Sequence, residues 1–111
     1  MPRTQALSER EIRSLFRTAK RIIRDPGFDI LIAPSTQAEG RLLVVTSRRT
    51  GNAPQRNKVR RRIKAIFYEQ ALSKRGYDCA IIVKKPGISV EFAQIQELML
   101  KAFEMADAQT K

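Results

Sequence analysis

The chain has 111 residues, enough for one domain with one modest core, and 42% of them are hydrophobic. Twenty-two Lys and Arg stand against eleven Asp and Glu, and the net charge of +11 seeks a polyanion, either nucleic acid or an anionic membrane. There is no His and one Cys, which argues against a His/Cys metal site and rules out a His-dependent nucleophile and an internal disulfide.

The lone Cys79, set in an apolar run, reads as a small buried hydrophobe and fits a reducing cytoplasm. Met1 to Gln5 lacks the apolar stretch of a signal peptide. No apolar run approaches the roughly 20 residues that span a bilayer. There is no internal repeat and no long linker, so residues 1–111 are expected to form a single domain with an ordered core over roughly 7–106.

In chain order, residues 8–24 read as a helix. Ser8 and Glu11 have capping-box spacing, and Leu7 and Ile12 have hydrophobic-staple spacing. Ile12, Leu15, Phe16, Ala19, Ile22 and Ile23 recur at helical period. Asp25-Pro26-Gly27 stops the pattern. Phe28 to Ala33 and Leu42 to Ser47 read as two strands. Their short connection makes an antiparallel pair the simplest expectation. Asn52 is placed as an N-cap, with Pro54 in the first turn of a helix running to about Lys74 and closed by Gly76. The apolar stripe of that helix is Val59, Ile63, Ile66 and Phe67. Asp78 to Lys84 is a near-continuous apolar strand, as a buried one would be. After Pro86-Gly87, Ser89 can cap a last helix with Phe92, Ile95, Met99 and Phe103 inward. The order α-β-β-α-β-α predicts an α+β, two-layer α/β sandwich.

From Gly40 to Tyr68 there is no acidic residue, yet Arg41, Arg48, Arg49, Arg56, Lys58, Arg60, Arg61, Arg62 and Lys64 all fall there. At 100° per residue, Asn57, Arg60, Arg61 and Lys64 lie away from Val59, Ile63 and Ile66, with Arg56 near the edge of that polar face. Cations crowded at a helix N-terminus oppose the macrodipole and repel one another at i, i+4. Stability alone would place acids there, whereas the combination of cations and free N–H groups suits phosphate. A merely solvated face usually mixes signs, and a membrane-surface helix needs a broad apolar face that the core claims here.

The stretch SRRTGNAPQRNKVRRRIKAIF, Ser47 to Phe67, resembles the central motif of the bacterial ribonuclease P protein family. That family carries a basic strand end, then G-N-A, then R-N-x-x-K-R-x-x-R on a helix. Gly51-Asn52-Ala53 and Arg56-Asn57 match directly, and Arg60, Arg61 and Lys64 keep the charge while two residue types swap. Pro54 stands where an aliphatic residue is usual. The resemblance spans roughly Leu7 to Phe103, with Phe16 at the aromatic position of the first helix, Ile12 where a second Phe is common, and the glycine usual after that helix absent.

The resemblance implies the family's α/β sandwich, in which the motif helix joins two parallel strands by a left-handed β-α-β crossover. It implies a protein subunit that binds the catalytic RNA of ribonuclease P and helps remove the 5′ leader of precursor tRNA. The chemistry belongs to the RNA and its Mg2+, and the protein binds no cofactor and has no catalytic residue. Arg48, Arg49, Gly51, Asn52, Arg56, Asn57, Arg60, Arg61 and Lys64 would contact RNA. Gly51 and Asn52 have an equal alternative as turn former and cap. Phe16, Phe28 and Ile30 are candidates for a leader-binding cleft between the first helix and the sheet, with core packing the competing role for each. A one-residue shift of strand parity would exchange Ile30 for Leu31. The expected partners are ribonuclease P RNA and precursor tRNA, with no membrane and no DNA, for a monomeric cytoplasmic protein. The rivals are a structural RNA-binding protein of ribosomal type, a DNA-binding helix and an autonomous nuclease. A recognition helix would carry more base-reading Asn and Gln, and a nuclease would carry His or clustered acids.

Overall fold

The computed structural model describes residues 7–110, so the stretch Met1 to Gln5 lies outside the described residues. Helix α1 (Glu9–Thr18) begins with the expected capping box. Glu11 N–H donates to Ser8 Oγ at 3.2 Å, and Ser8 N–H donates to Glu11 Oε1 at 2.9 Å. The helix stops at Thr18, short of the expected Arg24. Ala19 is already extended, and Lys20–Arg24 forms strand β1 instead. The β-branched pair Ile22-Ile23 explains the change. Its helix propensity is poor, and as a strand it places Ile23 in the core at the edge of a sheet.

Strand β1 pairs antiparallel with β2 (Phe28–Pro34). The turn between them is tied by Gly27 N–H donating to Asp25 Oδ2 at 2.9 Å. Strand β3 (Leu42–Val45) does not pair with β2 as expected. The sheet order is β1-β2-β4-β3, with β4 (Tyr77–Val83) inserted between the two. β4 runs antiparallel to β2, from Phe28 opposite Val83 to Pro34 opposite Tyr77. It runs parallel to β3, from Leu42 opposite Cys79 to Val45 opposite Ile82. Burial decides the order. All of β4 except Ile82 is buried, so it needs neighbours on both edges, whereas every residue of β3 is half-buried and suits an edge. Gly40 admits the chain to that edge, since a Cβ there would lie 1.8 Å from the Tyr77 carbonyl oxygen.

Helices α2 (Ala53–Glu69) and α3 (Phe92–Thr110) cover one face of the sheet and form the expected sandwich. That core unites Phe28, Ile30 and Ile32 of β2, Cys79 and Ile81 of β4, Val59, Ile63, Ile66 and Phe67 of α2, and Ile95, Met99 and Phe103 of α3. Phe67 and Phe103 meet edge to face at 6.2 Å. The other face carries Leu31, Ala33 and Ala80 and is covered in part by Leu15 of α1. α2 ends at Glu69, before the expected Lys74, and a 3-10 turn over Leu72–Arg75 follows, bounded by the left-handed residues Ala71 and Gly76. Ser89 belongs to a second such turn, Lys85–Ser89, so it precedes α3 without capping it. Phe92, in the first turn of α3, overhangs the core and is exposed.

Candidate nucleic-acid interface

β3 delivers the chain to a 3-10 turn at Arg48–Thr50, where the Thr50 hydroxyl donates to the Ser47 carbonyl. Gly51 follows with φ 166, an extended backbone that any residue adopts. It is therefore not needed for a left-handed turn. A Cβ there would instead meet the Gln55 side chain at 2.6 Å. Asn52 caps α2, its Oδ1 accepting from Gln55 N–H at 2.9 Å while its own N–H donates to Gln55 Oε1 at 2.9 Å. Pro54 sits in the first turn, where its missing N–H costs nothing. The first turn carries no acid to neutralise the positive end of the helix.

Arg56, at the start of the helix, donates to the Gly51 carbonyl at 3.3 Å. Arg60 is half-buried and oriented from two sides, donating to Thr46 Oγ1 and to Asn57 Oδ1. Arg61 and Lys64 follow on the same flank, exposed. Asn57, Arg60, Arg61 and Lys64 line one wall of an open groove of about 440 Å³, whose floor is Leu42 and Val44 of the edge strand. Arg48 and Arg49 extend the cationic surface past the helix start. Arg62 points elsewhere, donating to the Val90 carbonyl at 3.2 Å.

Five acids are engaged in ion pairs away from this flank. Asp29 meets Arg21 at 3.8 Å and Lys84 at 2.9 Å, Glu9 meets Arg13, and Asp107 meets Arg75. Arg41, nearly buried, bridges Glu11 and Asp78 and so clamps α1 onto the sheet. That bond from Arg41, with further bonds from Ser8, holds the Glu11 carboxyl at about 2, below its ordinary value of 4.5. Among the described residues, none of Arg48, Arg49, Arg56, Arg60, Arg61 and Lys64 is paired with a carboxylate. These six uncompensated cations, of which Arg60, Arg61 and Lys64 line the groove, make an anion-gripping surface.

The leader-cleft candidates divide. Phe16 lies on α1 and is 39% exposed. Phe28 and Ile30 are 1% exposed and face α2 and α3, on the opposite side of the sheet from α1. Strand parity is the reason. Leu31, not Ile30, shares the α1 face, with Leu43 and Ile82 half-buried beside it. The groove floor, Leu42 and Val44, was missed because it depends on β3 being an edge. The Arg41 clamp was missed because its acids are distant in sequence.

Burial pushes the Cys79 thiol up and keeps it from acting as a nucleophile. Among the described residues, no group of three or more His, Cys, Asp or Glu is placed to hold a metal ion, and no helix is long and apolar enough to cross a membrane.

Fold and groove together define a small α/β domain built to hold a phosphate-bearing polymer. The sequence profile described as Ribonuclease P matches residues 1–107, and the chain belongs to that family. The ribonuclease P protein component of Petrotoga mobilis is 29% identical over 105 residues, covering 90% of this chain and 88% of the relative. The RNase P protein from Thermotoga maritima superposes with a TM-score of 0.75 at 24% identity, over 92% of this chain and 96% of that one. The Staphylococcus aureus RNase P protein gives 0.74 at 18% identity, over 95% and 96%.

Proposed function

We propose that this chain is the protein subunit of a ribonuclease P ribonucleoprotein. It binds the catalytic RNA through the α2 flank and assists endonucleolytic removal of the 5′ leader from precursor tRNA. The RNA, with its Mg2+, carries the chemistry, and the protein alone binds no cofactor and acts as a monomer in the cytoplasm. The carrying observation is the flank itself. Asn57, Arg60, Arg61 and Lys64 line one groove, Arg56 lies one turn before Arg60 on the same helix, and no carboxylate offsets them among the described residues. Family membership favours this reading over a ribosomal-type RNA binder.

The leader reading shifts with the geometry. Phe16, exposed on α1, stays a candidate, and the proposal substitutes Leu31, Leu43 and Ile82, which share the α1 face, for Phe28 and Ile30. By register with Leu31 and Asp29, Arg21 and Arg24 approach the same face, where Arg21 is ion-paired with Asp29 and Arg24 supplies a cation for a single strand.

Reconstitution tests the proposal. The protein is added to a bacterial ribonuclease P RNA and precursor tRNA at low magnesium and moderate salt. The wild type is expected to restore 5′ cleavage, and Arg56→Ala/Arg60→Ala/Arg61→Ala is expected to fail. Tight RNA binding without any change in cleavage would leave a general structured-RNA binder as the account.

A further inference from the structure

The groove between α2 and the β3 edge is not a plain phosphate track. A surface that gripped only backbone phosphates would gain nothing from an open apolar floor, because phosphate contacts are made by cations and N–H groups. Here Leu42 and Val44 lie half-buried below Arg60, Arg61 and Lys64. The α2 flank also runs on past Lys64. Asn57, Arg61, Lys64 and Tyr68 are spaced at i, i+4, i+7 and i+11, one face of a helix. Tyr68 therefore stands about 6 Å further along the axis than Lys64. It is 40% exposed, one of the four large hydrophobic side chains at the surface of the described residues. Its ring is braced edge-on by Phe67, at 5.1 Å between centroids and 87° between planes, and Phe67 is itself buried. A cationic wall, an aliphatic floor and, one helical turn beyond Lys64 on the same face, a braced aromatic suit unpaired nucleotides, with phosphates on the cations and bases turned inward.

The geometry points to this groove as a site for an unpaired stretch of RNA, with Tyr68 as the platform on which one of its bases stacks. This deepens the proposed function, on which it rests for the identity of the polymer. Charge complementarity selects a polyanion, and the apolar floor with Tyr68 selects a strand whose bases are free. A duplex keeps its bases stacked inside and would leave both unused.

The chain contains no Trp, and its other tyrosine, Tyr77, is buried. Tyr68→Trp therefore installs one fluorophore at the platform. The probes are a short single-stranded RNA and the same RNA annealed to its complement, each titrated to saturation. The tryptophan emission is expected to be quenched by the single strand and to stay unchanged with the duplex. Tyr68→Ala is expected to weaken single-strand binding roughly 5- to 150-fold, the range of one base–aromatic stack. Its salt dependence should stay unaltered, because no phosphate contact is lost, and Tyr68→Phe should bind as the wild type does. Saturable single-strand binding with unchanged tryptophan emission overturns the assignment, as does an equal loss for strand and duplex in Tyr68→Ala. Both readouts omit the ribonuclease P RNA. Failed reconstitution with quenching intact would sink the subunit reading alone, and restored cleavage without quenching would sink this one alone.

Discussion

Replacing Arg61 and Lys64 together by alanine should change how RNA binding depends on salt, and the size of the change follows from the uncompensated charge. Six cations, Arg48, Arg49, Arg56, Arg60, Arg61 and Lys64, have no carboxylate partner among the described residues. If each meets one phosphate, log K against log salt has a slope of about −4 to −5, using roughly 0.7 to 0.9 per contact. Between about 50 and 200 mM salt the wild type should then lose roughly 300- to 2000-fold in affinity. The double variant removes two contacts, so its slope should be shallower by about 1.4 to 1.8. Both side chains are exposed and neither is hydrogen-bonded among the described residues, so the variant should keep the wild-type thermal midpoint. Anisotropy titrations of a labelled RNA across the salt series measure the slope, and Lys101→Ala on α3 serves as the control. An unchanged slope in the folded double variant would refute the argument and place the phosphate contacts elsewhere on the chain.

Three further outcomes are expected. Arg41→Ala strips the buried Asp78 of its cation and frees α1 from the sheet, which should cost about 3 kcal/mol. For a domain of 111 residues that is a fall of about 13 °C in Tm, and calorimetry showing less than about 4 °C would mean that solvent already screens the clamp. Glu11, depressed to about 2 chiefly by Arg41 and then by Ser8, contributes stability that is full above about pH 4.5 and is lost as pH falls toward 2. The gap in Tm between wild type and Glu11→Gln should therefore close across that window, and a constant gap would show that the ion pair is not its source. Asn52→Ala should cost about 1 kcal/mol as a lost cap. If capping is the whole role of Asn52, RNA affinity measured well below Tm should change less than twofold, and a tenfold loss would assign it a direct contact.

The charged flank of α2 was more legible in the sequence than the sheet was. An acid-free run on a helix with a complete aliphatic stripe can dock in one way only, so Val59, Ile63, Ile66 and Phe67 go inward and the cations go outward. The two reciprocal caps, Ser8 with Glu11 and Asn52 with Gln55, are local hydrogen bonds. The spacing that makes them is written in the chain, although only the first was read as a box.

Relations between distant segments were another matter. Ile22-Ile23 continues the helical period of α1, yet the vacancy beside β2 takes it as a strand. The antiparallel pairing expected of β2 and β3 was the economical reading of a short connection. It gave way because β4, buried along nearly its whole length, had to lie between them. That insertion makes β3 an edge, and only then do Leu42 and Val44 become the floor of a groove. The parity of β2 likewise sends Phe28 and Ile30 to the α2–α3 core and Leu31 to the α1 face. Sequence by itself determined which helix carries the charge and which of its sides is wet, because helical periodicity and sign are properties of one segment. Tertiary structure alone decided strand order, the parity of β2 and the groove, because a period-2 pattern leaves neighbours and facing open until burial selects among them.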